Sequence, residues 1–248
     1  MKALILAAGY ATRLRPLTDT IPKPLLPVGA RPMVDWILDR VAETSADEVH
    51  LVTNARFAAD FERWAQHKDV RVHNDGTTSN EDRLGAIGDI DFVGLDDDLL
   101  AIASDNLFDY SLADYESYWQ RKGGSAVAVH DVGDPELAKK YGIVDVDEDD
   151  RITNFVEKPE NPPTTLCATA TYLYRREHTA LVPTYLAEGN PPDQPGNLVA
   201  WLHKRAPVYA YRFPGEWYDI GDQAQLLEAD NRMRRRQGLP ERAEYSPS

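Results

Sequence analysis

The chain is poor in cysteine and has no long apolar segment. Cys167 is the single cysteine among 248 residues, so no disulfide can form within the chain, which favours a reducing compartment such as the cytoplasm. No apolar run approaches the ~18 to 20 residues that a membrane-spanning helix needs. A strand-like segment begins at Ala3, so the sequence predicts neither a secretory signal nor a membrane anchor.

Positive charge is also scarce. Lysine and arginine together number 27, against 41 aspartates and glutamates, which gives a formal net charge of −14. Such a surface disfavours nonspecific binding to nucleic acid or anionic lipid, and we predict neither as a partner. Because the whole molecule does not attract an anionic ligand, a phosphate site has to be basic locally. Arg13, Lys23 and Lys158 are the cations of interest.

Several common catalytic signatures are missing. No Gly-x4-Gly-Lys-Ser/Thr loop occurs, and Gly9 is the only glycine of the first turn, so the dinucleotide fingerprint Gly-x-Gly-x-x-Gly is absent as well. The six histidines show no metal-binding spacing. No serine–histidine–aspartate or cysteine–histidine pair lies in a motif context, which argues against nucleophilic catalysis by a side chain.

The first half of the chain alternates between strand-like and helix-like patterns, which is typical of a mostly parallel sheet flanked by helices. A helix is predicted to begin with Pro32 in its first turn. The other predicted elements of this half are strands at 3–8, 48–54, 70–74, 99–104 and 125–132, and helices at 57–66 and 111–121. In such sheets, ligands bind beyond the carboxyl ends of the strands.

The second half has a different pattern. Segments 142–147 and 152–157 are β-like and flank the acidic turn 148–151, which predicts a hairpin. The remaining predicted elements are strands at 168–174 and 208–213, and helices at 177–188, 197–204 and 222–237. The fold class is therefore α/β: a Rossmann-like, mixed and mostly parallel sheet flanked by helices, with a small β-rich insertion.

The first 27 residues hold the most informative pattern. The apolar run from Ala3 to Ala8 predicts a buried strand, which ends in a turn of small residues over 8–12. Two cations follow, Arg13 and, ten residues later, Lys23 between two prolines. A tight turn exposes backbone N–H groups that can surround phosphate oxygens, so this segment predicts a site for a polyphosphate.

Two aspartates lie near predicted strand ends. Asp105 follows the apolar run 99–104, and Asp219 lies between a predicted strand and the last helix. Carboxylates at strand ends could share one Mg2+, a hard cation that takes oxygen ligands. Taken alone, each is more simply interpreted as a turn residue, and Asp222 as a helix N-cap.

The N-terminal segment resembles the signature of the sugar-phosphate nucleotidyltransferases. That pattern is Gly-x-Gly-Thr-Arg-Leu-x-Pro-Leu-Thr, followed by Pro-Lys-Pro, and it matches residues 9–18 and 22–24. Ala11 stands in place of the second glycine, which restricts the loop. Ala170 likewise stands where the family more usually has glycine.

Later blocks extend the resemblance, in family order, to about residue 235. The Asp-Asn pair at 105–106 and the Trp-x-Asp-x-Gly block at 217–221 match the family's metal-binding segments. Tyr-Gly at 141–142 and Glu-Lys-Pro at 157–159 match its second-substrate segments. The resemblance implies one nucleotidyltransferase domain over 1–238, with a nucleotide-binding part at about 1–132 and a second-substrate part at about 133–238. A polar, frayed tail is predicted over 239–248.

The resemblance also implies roles for individual residues. Catalytic cations would be Arg13, Lys23 and Lys158, and Asp105 and Asp219 would hold Mg2+. The nucleotide would contact Leu6, Ala7, Ala8, Gly9, Tyr10, Ala11, Thr12, Arg13, Lys23, Asn74, Gly85 and Asp105. The sugar phosphate would contact Asn106, Tyr141, Gly142, Glu157, Lys158 and Thr171.

The implied reaction transfers a nucleotidyl group from a nucleoside triphosphate to a sugar 1-phosphate, as in nucleotide-sugar biosynthesis. Thymidylyl or uridylyl transfer to glucose 1-phosphate is the leading expectation. One alternative is a noncatalytic, nucleotide-binding regulatory domain of the same fold. Another is a glycosyltransferase, for which the Asp-x-Asp spacings at 89–91, 145–147 and 147–149 are formally suitable. The sequence leaves the base, the sugar and the oligomeric state open.

Overall fold

The structure is a computed structural model that describes residues 1–247. Its strands are β1 (Lys2–Leu6), β2 (Pro27–Val28), β3 (Arg31–Pro32), β4 (Glu48–Thr53), β5 (Arg71–Asn74), β6 (Leu99–Ala103), β7 (Asn106–Phe108), β8 (Ser125–Asp131), β9 (Gly142–Val146), β10 (Ile152–Glu157), β11 (Leu166–Tyr174), β12 (Val208–Arg212) and β13 (Trp217–Asp219). Its helices are α1 (Met33–Val41), α2 (Ala58–Ala65), α3 (Ala86–Val93), α4 (Leu112–Lys122), α5 (Pro135–Ala138), α6 (Arg176–Thr179), α7 (Val182–Ala187), α8 (Pro195–Leu202) and α9 (Gln223–Arg236).

One mixed sheet organises the molecule. Its main path runs β10-β9-β11-β6-β1-β4-β5, and β8 joins β11 to β12. The pairs β6–β1, β1–β4 and β4–β5 are parallel, whereas β11 runs antiparallel to β6, β8 and β9. This confirms the predicted fold class. The parallel part holds the N-terminal half of the chain, and the antiparallel part holds the predicted hairpin β9–β10.

Apolar side chains cover both faces of the sheet. On β1, Leu4 packs into one buried cluster, with helices α3, α7 and α8, whereas Ile5 packs into another, with α1, α2 and α4. The alternation of side chains along a strand produces this division. Because both faces are covered, β1 and β6 are almost wholly apolar, and this is why their sequences could be identified as strands.

Several elements differ from the sequence prediction. Pro32 is the N-cap of α1 and not its first helical residue. The single helix predicted over 177–188 is two short helices, α6 and α7, and Pro183 lies in the first turn of the second. Helix α3 and the ribbon β7–β13 were not predicted at all. Asp222 is the N-cap of α9, as predicted, and accepts a hydrogen bond from the backbone N–H of Gln225.

The C-terminal segment is not frayed over its described part. Asn231 on α9 exchanges hydrogen bonds with the backbone of Arg242, and the Tyr245 hydroxyl donates to the carbonyl of Pro27 at 2.9 Å. Tyr245 also packs against the apolar cluster beneath α9. A polar composition suggested a loose tail, but these hydrogen bonds and the packing of Tyr245 attach it to α9 and to Pro27. No helix among residues 1–247 is long and apolar enough to cross a bilayer.

Candidate active site

Three parallel strands end together beneath the first turn of the chain. The backbone N–H of Ala7 donates to Val52, and that of Ser104 donates to Leu6, so β4, β1 and β6 are held in line past their last paired residues. The buried side chain of Asn54 donates to the carbonyl of Ala8 at 2.9 Å. These contacts fix the start of the phosphate-loop candidate, residues 8–13, at the carboxyl edge of the sheet.

Ala11 adopts the left-handed conformation, with φ 44° and ψ 44°. This conformation costs a residue with a side chain about 1 kcal/mol, and the family pattern has glycine here. The Thr18 hydroxyl donates to the Ala11 carbonyl at 2.9 Å, which holds the turn in place. The loop therefore keeps the shape expected of a glycine at position 11, although it carries a methyl group.

Lys23 is directed into the same edge of the sheet. It lies in a one-turn 3-10 helix, Lys23–Leu25, which Pro22 precedes, and its side chain is almost completely buried. Its Nζ lies 2.6 Å from Oδ2 of Asp105, two residues beyond the end of β6. The two flanking prolines restrict the backbone of this segment, so the ammonium group is held at one position beside the carboxylate.

Asp219 reaches Asp105 through the ribbon that the sequence did not predict. Strand β13 pairs antiparallel with β7, and Asp219 lies opposite Asn106, the residue that follows Asp105. Burial and then the charge of Asp105 raise the pKa of Asp219, while Lys23, Arg13 and Lys158 act in the opposite direction. Four charged side chains from distant parts of the sequence therefore act on one carboxyl group.

The carboxylate pair fits a magnesium ion. Both side chains offer hard oxygen atoms, and the mutual repulsion that raises the pKa of Asp219 would be relieved by a cation between them. Within residues 1–247 no group of three or more histidine, cysteine or acidic side chains could hold a metal ion by itself. Magnesium commonly completes its shell with water and substrate phosphates, so Asp105 and Asp219 would suffice once a nucleotide is bound.

Asp105, Lys23 and Arg13 border a cleft of about 320 Å³ at the carboxyl edge of the sheet. Its lining includes nine residues that the sequence analysis assigned to the nucleotide: Leu6, Ala7, Ala8, Gly9, Ala11, Arg13, Lys23, Gly85 and Asp105. Gly85 adopts φ +80°, and a Cβ there would lie 2.6 Å from the Cα of Asp193. The contact between the N-terminus of α3 and the 192–195 loop closes this end of the cleft.

Comparison with known proteins decides the family. Residues 2–236 match the family model described as nucleotidyl transferase. The chain belongs to the nucleotidyl transferase family.

Named relatives within this family differ in their substrates. The chain is 30% identical to a Synechocystis UTP–glucose-1-phosphate uridylyltransferase and 32% identical to a Sulfolobus acidocaldarius protein assigned as a mannose-1-phosphate guanyltransferase. Each match covers 89% of this chain and 60% of the relative. A Bacillus anthracis protein assigned as a glucose-1-phosphate thymidylyltransferase, solved with sucrose, superposes with a TM-score of 0.78 at 26% identity, over 94% of this chain and 95% of that one.

The second-substrate residues of the nucleotidyl transferase pattern lie on and beside β9 and β10. The Lys158 backbone is left-handed, with φ 47°, and its N–H donates to the carbonyl of Tyr141 at 3.0 Å. Its Nζ is 4.0 Å from Oε1 of Glu157, whose pKa is raised by burial. A Cβ at Gly142 would lie 2.5 Å from the Phe155 ring, so only glycine fits there.

Two predicted sugar-phosphate residues, Asn106 and Thr171, make contacts within the fold. The Asn106 side chain is buried, donates to the carbonyl of Thr169 and accepts a hydrogen bond from the Trp217 indole at 3.1 Å. The Thr171 side chain is fully buried, 3.5 Å from the Asn106 amide. These contacts join β7, β11 and β13 and position the neighbouring Asp105.

Three predicted nucleotide residues, Tyr10, Thr12 and Asn74, do not line this cleft. The Tyr10 side chain is buried and lies 3.3 Å from the Thr77 hydroxyl. The Asn74 side chain is exposed and accepts a hydrogen bond from the N–H of Gly76 at 2.9 Å. Thr12 is the first residue of the 3-10 helix Thr12–Leu14. Tyr141 and Asp219 line a second cavity of about 220 Å³, with Trp217 and Glu228.

Sequence reasoning missed three charged residues of the cleft: Arg83, Asp89 and Asp193. Arg83 forms a two-point ion pair with Asp193, at 2.8 and 3.1 Å. Asp89 was noted only as part of a possible Asp-x-Asp motif. On α3, however, Asp89 is buried in the cleft and Asp91 is exposed, so the two carboxylates do not form one metal site. The signal in the sequence was a charged residue within the apolar run 84–93.

Proposed function

We propose that this chain transfers a nucleotidyl group from a nucleoside triphosphate to a sugar 1-phosphate and releases pyrophosphate. The observation that carries the proposal is the meeting of Lys23, Asp105, Asp219 and Arg13 at the carboxyl edge of the sheet. This arrangement combines fixed cations with a carboxylate pair suited to magnesium. The activity is proposed for the chain itself, which spans only part of the curated relatives it matches.

The reaction joins two anions. An oxygen of the sugar phosphate attacks the α-phosphorus of the triphosphate, and the bond between that phosphorus and the β-phosphate oxygen breaks. Pyrophosphate leaves with the electron pair. A phosphate monoester is already largely ionised near neutral pH, because its second pKa is about 6, so no side chain has to remove a proton. This fits the absence of a general-base motif in the sequence.

The residues of the cleft would supply charge and alignment. Arg13 and the backbone of the 8–13 loop would hold the leaving pyrophosphate, and Lys23 would neutralise charge at the reacting phosphate. Magnesium held by Asp105 and Asp219 would withdraw charge from the phosphate oxygens and orient them. Lys158 would bind the phosphate of the second substrate, and Glu157 would accept hydrogen bonds from sugar hydroxyls.

For the substrates, we propose dTTP or UTP with glucose 1-phosphate. The uridylyltransferase relative and the superposed protein assigned as a thymidylyltransferase support this choice. The relative assigned as a mannose-1-phosphate guanyltransferase makes GTP with mannose 1-phosphate the second candidate.

A pyrophosphate-release screen tests the proposal. Purified protein with Mg2+ is supplied with each of ATP, CTP, GTP, UTP and dTTP against glucose, mannose, galactose and glucosamine 1-phosphates and phosphocholine. We expect one strong pair, with dTTP or UTP and glucose 1-phosphate. Nucleotide binding without any pyrophosphate release would favour the noncatalytic alternative, and sugar transfer from a nucleotide-sugar would favour a glycosyltransferase.

A further inference from the structure

The two cations of the phosphate site are held in different ways. Lys23 is almost completely buried and contacts Asp105, whereas Arg13 is exposed and its guanidinium group has neither a hydrogen bond nor an ion pair within residues 1–247. A long, exposed side chain without such partners has many rotamers, and a ligand that fixes one of them loses affinity. A guanidinium group that serves a polyphosphate therefore benefits from a contact that fixes it beforehand.

The backbone of Gly221 provides that contact. Gly221 is buried in the connection between β13 and α9. A Cβ there would lie 3.2 Å from Nη1 and 3.6 Å from Cζ of Arg13, so the guanidinium group packs directly against this glycine. The φ angle of Gly221 is not positive, so a residue with a side chain could adopt its backbone conformation. Glycine at this position therefore supplies space for the neighbouring side chains.

Gln225 holds Gly221 in place. Its Oε1 accepts a hydrogen bond from the Gly221 N–H at 2.8 Å and would lie 3.0 Å from a Cβ at Gly221. In return, the N-cap Asp222 accepts a hydrogen bond from the Gln225 N–H at 2.9 Å. This is a helix capping box in which the side-chain acceptor has moved to the residue before the N-cap. The cap of α9 therefore fixes the peptide on which Arg13 packs.

The start of α9 also holds the backbone next to Arg13. The Gln223 amide donates to the carbonyl of Arg15 at 3.2 Å. The Leu14 side chain is buried in the same apolar cluster as Leu226 on α9. Both the guanidinium group of Arg13 and the backbone that follows it are therefore fixed relative to one helix.

We propose that Gly221 and Gln225 are positioning residues, which hold the Arg13 guanidinium group ready for the polyphosphate of the nucleotide. The inference rests on the proposed function, since it assigns Arg13 to the phosphates. Preorganisation raises affinity because less side-chain freedom is lost on binding. Gln225 acts through Arg13 in this arrangement and needs no contact with the ligand.

Nucleotide affinity in a double-mutant cycle tests the inference. Dissociation constants of UTP, dTTP, GTP, CTP and ATP are measured calorimetrically with Mg2+ and without a sugar phosphate. The proteins are the native chain, Gln225→Ala, Arg13→Ala and the double variant. For the tightest nucleotide, we expect Gln225→Ala to weaken binding by about 5-fold when Arg13 is present and by less than about 1.5-fold when it is not. Equal losses in both backgrounds, or no binding of any nucleotide, would overturn the inference.

Two further variants keep the result interpretable. Gly221→Ala places a methyl group against Arg13 and Gln225 and should weaken binding similarly, again only when Arg13 is present. Ser111→Ala is the control for a lost helix cap, because Ser111 caps α4, accepts a hydrogen bond from the Asp114 N–H at 3.2 Å and borders neither cavity of the site. It should retain native affinity. A merely structural role for Gln225 would lower the Tm of Gln225→Ala, as in Ser111→Ala, without changing the dissociation constant.

This outcome is separable from that of the transfer reaction. A loss of nucleotide affinity that depends on Arg13, without pyrophosphate release in the full screen, would contradict the proposed function and leave the roles of Gly221 and Gln225 intact. Pyrophosphate release by the native protein, with losses that are equal in both backgrounds, would support the proposed function and overturn this inference.

Discussion

Charged side chains are arranged differently at the two ends of the cleft. At one end, Lys23 and Arg13 meet a pair of carboxylates, so that cations and a possible metal site face the position proposed for the phosphates. At the other end, Arg83 is paired with Asp193, and the charge of Asp75 together with burial raises the pKa of Asp89. In the proposed function, charge at the first end acts on the reacting phosphates, whereas the ion pair at the second end joins residue 83 to the 192–195 loop.

The largest expected effect is at the reacting end. Lys23→Ala should lower kcat by about 100-fold or more, because it removes transition-state charge stabilisation and leaves Asp105 unpaired. Steady-state pyrophosphate release is the measurement. Lys204→Ala, at an exposed lysine, serves as the control and should retain native kcat. Native turnover in Lys23→Ala would show that this end of the cleft does not carry the chemistry.

The second prediction concerns closure of the other end. Gly85 and Gly76 share φ +80°, but a Cβ at Gly85 would lie 2.7 Å from the Pro192 carbonyl, whereas one at Gly76 meets no described atom within 4 Å. Gly76→Ala should therefore cost about 1 kcal/mol from backbone strain, and Gly85→Ala about 3 kcal/mol. Urea unfolding measures both. Equal losses of unfolding free energy would mean that the contact between α3 and the 192–195 loop can shift at no energetic cost.

The third prediction uses the proton on Asp89. Because the pKa of Asp89 is raised to about 7, the folded state retains a proton that the unfolded chain releases above pH ~4. Its contribution to the free energy of unfolding therefore falls as pH rises from about 4 to about 7. Relative to Asp89→Asn, the native protein should lose at least about 1 kcal/mol over this interval.

Urea unfolding of both proteins at pH 4.5 and pH 7.5 provides this difference. Four histidines oppose the trend in each protein alike. Burial lowers the pKa of His50, His73, His178 and His203, so their contribution to the free energy of unfolding rises with pH and cancels in the comparison. A constant difference between the two proteins would mean that Asp89 is ionised throughout.

The smallest expected effect is in the phosphate loop. Ala11→Gly should raise the free energy of unfolding by about 0.5 kcal/mol, because relief of the left-handed strain exceeds the added entropy of the unfolded chain. Ala42→Gly, at a position with φ −64°, should instead lower it by a similar amount. A loss at both positions would show that the Thr18 contact already removes the strain at Ala11.

Features that depend on a local pattern of residues could be predicted from the sequence, whereas features that depend on residues far apart in the chain could not. Buried strands such as β1 and β6 were visible because a sheet covered on both faces demands unbroken apolar runs. Strand β13 was not, because it has three residues and its partner β7 lies more than 100 positions away, so no local pattern marks it. The charged residues that match the family pattern were identified from the sequence. Asp89 was not, because its raised pKa comes from burial and from Asp75, and the sequence shows neither.

The pairing of β13 with β7 also determines when the site can form during synthesis. Asp219 joins the site only through this ribbon, and β6, which precedes Asp105, is flanked on one side by β11, residues 166–174. During synthesis, a chain that has emerged only to residue 165 would present β6 as an open sheet edge and would contain Asp105 without Asp219, the other aspartate of the proposed magnesium site. Such an edge invites pairing with another chain. The site is therefore completed only late in synthesis. Until then, the exposed edge of β6 has to be kept from pairing with other chains.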